Sequence, residues 1–403
     1  MNDATNVFAG ISVKSIPNLD APPSYRQLQS DDPLPKIMLP SGHIAIHITK
    51  YEDVRHALSD NGFIRRPCNA QDGPSFLPTI TPNELLLNND MPDHVRLRKV
   101  IAKDFSAAGV NILREKVFER TTVLIDAMLA KNEPADLFLD VLDDIPSWID
   151  CQLMGINADD RTYYRPLTHV IQIADSGDIP DLLRQFWLVY DYLTELVEGK
   201  RPCTSSGLIK KFIRDREQSD PPLSDKELVG ILLGILIGGD QNILTVLTKI
   251  VYTLLAEPRL WSTLIENPHM IPETVEELLR LIPLGTISAF PRIANEDVAG
   301  RWGVIPKGSV IYADAFAANR DPDVFANPLA IIPGREAPRH LQFGYGMHNC
   351  MGAALARMEI IAILETLIQR LPNLRLAVPA QNILWHEGVL LRRPVSLLVK
   401  WEL

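Results

Sequence analysis

The sequence predicts one mostly α-helical domain with a smaller β-rich portion, and three observations carry that expectation. Helical periodicity runs from Asp93 to about Arg280, interrupted near Pro134, Pro202 and Pro221. A strand-rich stretch follows from Thr286 to Tyr312, with turn signals at Ala299-Gly300 and Pro306-Lys307-Gly308. A second strongly helical segment, Met351 to Gln369, comes after a long Pro/Gly-rich segment, Pro322 to Gly346.

In chain order, about the first 40 residues are Pro-rich and irregular. His43 to Thr49 alternates like a strand, and Glu52 to Ser59 has helical character. The chain ends in expected strands. The 31 prolines are spread throughout, and no stretch reads as a linker, a repeat or a low-complexity tract. Residues 1–403 therefore read as a single domain.

Composition is globular: 46% apolar, 22% charged and 7% aromatic. Forty basic against 50 acidic side chains leave a formal charge of -10, which argues against a general nucleic-acid binder. A local basic patch for an acidic protein partner is compatible with it. The four cysteines, Cys68, Cys151, Cys203 and Cys350, form no CxxC pair, so neither a zinc site nor a disulfide framework is indicated. No signal peptide is visible at Met1 to Gly10, and the longest apolar run, Leu228 to Gly239, is short for a bilayer. A soluble, cytoplasmic protein with no membrane contact is the expectation.

Long irregular segments inside a compact domain tend to be functional. The one here runs into Phe343-Gly344-Tyr345-Gly346-Met347-His348-Asn349-Cys350-Met351-Gly352. Its two glycines permit a tight bend close to a flat ligand. The helix behind it places the sulfur at a positive dipole end, where a thiolate is stabilised. Without more, Cys350 would read as a buried structural thiol. The spacing of Phe343, Gly344, Gly346, His348, Cys350 and Gly352, however, resembles the haem-binding signature of the cytochrome P450 family.

The resemblance extends from about His43 to Arg393. It implies the triangular, mostly α fold of that family, haem b, and Cys350 as axial thiolate ligand to the iron. It also implies an oxidoreductase of the monooxygenase class that activates dioxygen. Glu277 and Arg280 match the family's Glu-x-x-Arg pair, with Arg335 as the third member of a structural ion-pair triad. The same spacing occurs at Glu52–Arg55, Glu198–Arg201 and Glu336–Arg339, which read as ordinary surface pairs. His94, Arg98, Arg292 and His348 match the family's contacts to the haem propionates. The Ala318-Asn319-Arg320-Asp321-Pro322 stretch also matches and reads as structural.

By the same resemblance the distal helix is the long one, Ser224 to about Leu255. Its centre reads Gly238-Gly239-Asp240-Gln241-Asn242. Gly239, Asp240, Gln241 and Asn242 are the expected catalytic segment. It departs from the family's acid–threonine pair, because Gln241 replaces the acid and Asn242 the alcohol. An amide orients a water but does not readily release a proton. Routine hydroxylation is therefore in doubt. One explanation is a substrate that supplies the missing hydroxyl or amine; a second, slightly favoured, is hydrogen abstraction followed by ring closure or coupling. Asp240 performing the acid's work from a shifted position is a third, and Asp240 is also a candidate anchor for a substrate N–H.

Pocket positions implied by the family are Phe63, Arg65, Arg66, Phe76 and Leu87, then Leu284, Ile287 and Phe290, and finally Val389, Leu390 and Leu391. No flavin or dinucleotide motif is present, so electrons are expected from a separate ferredoxin or flavodoxin with its reductase. Arg96, Lys99, Lys103 and Arg357 are the candidate docking cations. The leading reading is an oxidative tailoring enzyme for a small natural product. The alternatives are a conventional hydroxylase or epoxidase of a hydrophobic metabolite, and a non-catalytic haem-binding or recruitment module.

Overall fold

The computed structural model describes residues 11–19, 34–76, 80–131, 133–173, 179–285, 287–288, 290–386 and 391–402. Thirteen α-helices among them are numbered in chain order: α1 Tyr51–Ser59, α2 Asp93–Ile101, α3 Ala107–Asn111, α4 Arg114–Leu129, α5 Ile145–Met154, α6 Arg161–Ile173, α7 Ile179–Val197, α8 Leu208–Asp215, α9 Asp225–Ala256, α10 Pro258–Glu266, α11 Ile271–Leu281, α12 Ala315–Ala318 and α13 Ala353–Arg370. The strands are β1 Lys36–Met38, β2 Ile44–Ile48, β3 Phe63–Ile64, β4 Ala135–Asp136, β5 Arg292–Ala294, β6 Val298–Gly300, β7 Gly303–Ile305, β8 Val310–Ala313, β9 Arg375–Leu376 and β10 Leu398–Lys400.

The 32-residue α9 is the axis of the helical core. It packs against α5, α6, α7, α10 and α13. A capping box starts it: the Glu227 amide donates to Ser224 Oγ (3.3 Å) and the Ser224 amide to Glu227 Oε2 (2.8 Å). Apolar residues on nearly every face suit a helix buried all round. Here the expectation needs correction. The helix is long and apolar enough to cross a membrane, and it is burial inside the fold, not a short apolar run, that accounts for its composition.

The β portion forms a five-stranded sheet in the order β1-β2-β8-β5-β3, a three-stranded sheet β4-β10-β9 and the hairpin β6-β7. Only the β2–β8 pair is parallel among these. Two expectations shift. Lys36–Met38, placed in the irregular leader, pairs with Ile44–Ile46 as the sheet edge. Ala299 and Gly300, read as a turn, lie in β6, and the reversal falls on Arg301-Trp302. A small sheet of short strands gives weak period-2 signals, which is why its edges moved.

In the helical core, α11 packs against α9 and α13 and contributes the buried Glu277. Glu277 Oε2 accepts from Arg280 Nε at 2.8 Å, and Glu277 Oε1 accepts from Arg335 Nε at 3.1 Å and from the Ile332 amide at 3.0 Å. Arg280 Nη1 also donates to the Asn319 and Pro328 carbonyls. The three charges therefore pin the irregular 322–346 segment to the helix. Burial separates this pair from its look-alikes: the Arg280 and Glu277 side chains are 2% and 4% exposed, whereas Arg55 and Glu52 are 43% and 38% exposed.

Candidate active site

The cysteine loop is built by backbone bonds. The Cys350 amide donates to the Phe343 carbonyl at 2.7 Å, and Asn349 Nδ2 donates to the Phe343 and Gly344 carbonyls at 3.1 Å each. Gly344 and Gly346 take φ of +70° and +69°, a left-handed conformation that favours glycine. Gly346 also lies against α1, where an added Cβ would stand 2.6 Å from the Leu58 carbonyl oxygen. Helix α13 starts at Ala353, two residues later than the sequence reading, so Cys350 precedes the helix by a short turn. Cys350 is solvent-accessible where the loop opens, yet the protein crowded around it still pushes its thiol up, opposed by the Gly352 amide and by Arg98 and Arg357.

The loop opens on a cavity of about 520 Å³, lined mainly by apolar side chains from α7, α9 and the 279–292 region, with Asp150 the one contribution from α5. Phe343, Gly344, Cys350 and Gly352 line it, as do Gly238, Gly239 and Asn242 of α9. Five basic side chains share the same walls: Arg65, His94, Arg98, Arg292 and His348. The His94 and His348 rings meet edge-on with centroids 4.4 Å apart. Burial, then His348 and Arg98, pull His94 down to about 3. Burial likewise lowers His348, and brings Arg292 to about 10 with Arg65 adding repulsion. Asp90 lies 3.9 Å from His348 and accepts the Arg65 and Arg66 amides; burial pushes it up, but His348 first and then the two amides hold it below the usual carboxylate range.

Three guanidiniums, Arg65, Arg98 and Arg292, beside two imidazoles held toward their neutral, hydrogen-bonding form, suit an anionic partner. His94 Nδ1 and His348 Nε2 are buried without a hydrogen-bond partner among the described residues. A flat group carrying two carboxylates and taking a thiolate ligand satisfies both walls, and haem is that group. The residues fit it. Arg98, besides facing the cavity, donates to the Met347 carbonyl at 2.8 Å and so ties α2 to the loop.

Several expected residues stand elsewhere. Phe63 is buried in the sheet-side cluster near Trp302, and Phe76 packs edge-on against Tyr312, so neither lines the cavity. Arg66 is exposed and pairs with Asp93, while its neighbour Arg65 turns inward. Arg65 donates to the Pro291 carbonyl at 2.7 Å and lies over the Phe290 ring, which makes it one of the cavity cations. Leu87, Leu284, Ile287, Phe290 and Leu391 do line the cavity; Val389 and Leu390 lie outside the described residues.

On α9, Asp240 is fully buried and turned away from the cavity. Its Oδ2 accepts from Gln241 Nε2 at 3.0 Å and lies 3.7 Å from Arg165 Nε. A residue one step from Gly239 on a helix faces about 100° away, which is why neither Asp240 nor Gln241 reaches the substrate side. Asn242 does reach it, but its Nδ2 is bonded to the Gly238 carbonyl at 3.0 Å. Sequence reading missed Asp150 of α5, which lines the cavity beside Gly239, and Glu276, which binds His340 and Arg357 under the loop. Only the three-dimensional crossing of α5 and α9 reveals the first; the Glu276-Glu277 doublet was a signal for the second.

Comparison with known proteins decides the family. The cytochrome P450 family model matches residues 189–372. Mycinamicin IV hydroxylase/epoxidase from Micromonospora griseorubida is 36% identical over 377 residues, covering 94% of both chains. This chain belongs to the cytochrome P450 family. Nocardicin C N-oxygenase from Nocardia uniformis subsp. tsuyamanensis is 35% identical over 384 residues, with 95% of this chain and 96% of that one covered. Among solved structures, a cytochrome P450 with biaryl coupling reactivity superposes with a TM-score of 0.90 at 32% identity, over 97% of this chain and 99% of that one. The P450 is accordingly an oxidoreductase whose cofactor is haem ligated through a cysteine thiolate.

Proposed function

We propose that this P450 oxidises a small natural-product metabolite and closes the reaction by ring formation or coupling. Cys350 is the sulfur ligand, and Arg65, His94, Arg98, Arg292 and His348 hold the propionates. One observation carries the choice of product. The cavity face of α9 offers Gly238, Gly239 and an Asn242 amide already bonded to the Gly238 carbonyl, with no hydroxyl of its own. The bound haem supplies dioxygen activation. The chain's part is to orient the substrate against an apolar wall, Leu87, Ile287 and Leu391, and to exclude bulk water. A substrate with its own phenol or amine fills the gap left by the missing alcohol, and loss of hydrogen from such a group leaves a delocalised radical suited to coupling. The biaryl-coupling neighbour supports this reading.

Electrons come from a separate ferredoxin or flavodoxin with its reductase, in the cytoplasm. Conventional hydroxylation or epoxidation is the second reading, favoured by the 36% identity to mycinamicin IV hydroxylase/epoxidase. Product mass decides. Aromatic metabolites that shift the haem spectrum are turned over with a ferredoxin and reductase; loss of two hydrogens supports coupling, and gain of one oxygen overturns it.

A further inference from the structure

Where α9 lacks an acid facing the cavity, a carboxyl arrives from another helix. Asp150 sits mid-way along α5, on a helix whose other buried positions include Ile145, Ile149, Leu153 and Met154. It is 1% exposed and still forms part of the cavity wall. Its two oxygens lie 2.6 and 2.7 Å from the point that a Cβ on Gly239 would occupy. Glycine at that position is what lets the carboxyl rest on the α9 backbone, where it accepts the Asp240 amide. Asp150 Oδ2 has no hydrogen-bond partner among the described residues.

Burial and the neighbouring acids favour the protonated form of this carboxyl. Arg165 and Arg393 act on Asp240, whereas the titratable groups acting on Asp150 are both acids: Asp240 on α9 and Glu359 on α13. Tyr164 on α6 and Cys151 on its own helix are the other titratable neighbours. Burial first, and then the two acids, raise Asp150 well above the usual carboxylate range. Glu359 is buried too, and neither of its oxygens has a hydrogen-bond partner among the described residues. A purely structural role would be better served by an apolar side chain, since a buried carboxyl with one oxygen left unpartnered destabilises a helix interface.

We propose that Asp150 is the proton-holding residue of this site, a carboxylic acid delivered across the α5–α9 contact that supplies the protons Gln241 cannot. Dioxygen reduction consumes a proton for every electron the carrier delivers. The Asp150 O–H bond breaks as its proton passes into the cavity, and the carboxylate left behind takes a replacement from the buried Glu359 carboxyl. Burial also favours the protonated form of Glu359, and bulk solvent reprotonates it in turn. The assignment rests on dioxygen being reduced in this cavity, and it holds for insertion and for coupling alike.

The test uses the holoenzyme and its Asp150→Asn variant, which keeps shape and removes the proton. Infrared spectra in light and heavy water, taken on substrate-free protein, show a protonated-carboxyl band at neutral pH that the variant lacks. With a plant-type ferredoxin, its reductase and no added substrate, oxygen consumption falls about a hundredfold in the variant and its solvent deuterium isotope effect changes. Asp150→Glu restores part of both. Unchanged consumption and isotope effect in Asp150→Asn overturn the proposal. Should that variant fail to take up haem, absence of any protonated-carboxyl band in the unmutated holoenzyme overturns it equally. Neither outcome depends on which product the enzyme makes.

Discussion

A thiol that holds iron must itself be held, and Cys350 is fixed by its own backbone rather than by its side chain. The Cys350 amide bond to Phe343 and the left-handed Gly344 and Gly346 set the loop whatever the sulfur does. Cys350→Ser is therefore expected to fold and to lose the thiolate-type carbon monoxide difference band, read on the reduced protein after haem supplementation. A second residue-scale prediction concerns Lys249, buried in α9 with Nζ donating to the Pro283 and Leu284 carbonyls at 2.6 and 3.1 Å. Burial, with Arg392 and Arg393 adding repulsion, pulls it down to about 7, below its unfolded value of about 10.4. Between those values the unfolded chain binds the extra proton. This group's contribution to stability thus rises with pH from about 7 to about 10, with a slope of up to about 1.4 kcal/mol per pH unit. Denaturation midpoints across that range should climb less steeply in Lys249→Met; an identical slope removes the argument. These local facts were unevenly legible. Cys350 and the His94–Arg98 pair were readable because short spacings along one loop or helix turn carry their geometry. Arg65 facing inward where Arg66 does not, and Asp150 meeting Gly239, depend on contacts between distant elements that no spacing records.

At the scale of elements, α11 and the irregular 322–346 segment are joined through one carboxylate. Glu277 serves Arg280, Arg335 and the Ile332 amide together, and removing it leaves two guanidinium groups facing each other in a largely buried site. Glu277→Ala should destabilise the protein by about 3–5 kcal/mol, the usual cost of stranding a buried charge. Urea denaturation followed by the haem band measures it. Glu52→Ala, with the same i, i+3 spacing on the surface of α1, should change stability by less than about 1 kcal/mol. The sequence pattern is identical at both places; only the second packing layer distinguishes them. The long elements were legible for the converse reason. The family resemblance placed α9 from Ser224 to about Leu255, and the Ser224–Glu227 capping box is the local reason it starts there. Short strands of two to five residues hold too few alternations to fix their ends, so Lys36–Met38 and the β6–β7 reversal emerged only from pairing.

Over the whole molecule, a net charge of -10 sets a condition on the proposed acidic ferredoxin or flavodoxin: its approach depends on the local cations that remain available. Two of the four expected docking cations are engaged internally. Arg96 is ion-paired to Glu227, and Arg357 binds Glu276 while lying over the Phe343 ring at 4.5 Å. Lys99 and Lys103 are exposed, and Lys99 is on α2, the helix whose Arg98 is bonded to the cysteine loop. A carrier attracted there stands next to the loop that presents the sulfur. Lys99→Glu and Lys103→Glu should each raise the KM for a ferredoxin about two- to fivefold at low salt, matching about 0.5–1 kcal/mol for an exposed pair. The effect should shrink toward physiological ionic strength, where the screening length is about 8 Å. Substrate-induced spectral shifts should not change, since neither lysine touches the cavity. A matching rise for a charge reversal at the exposed Lys36, on the β1 edge of the five-stranded sheet, would mean that overall charge rather than a docking face governs the encounter.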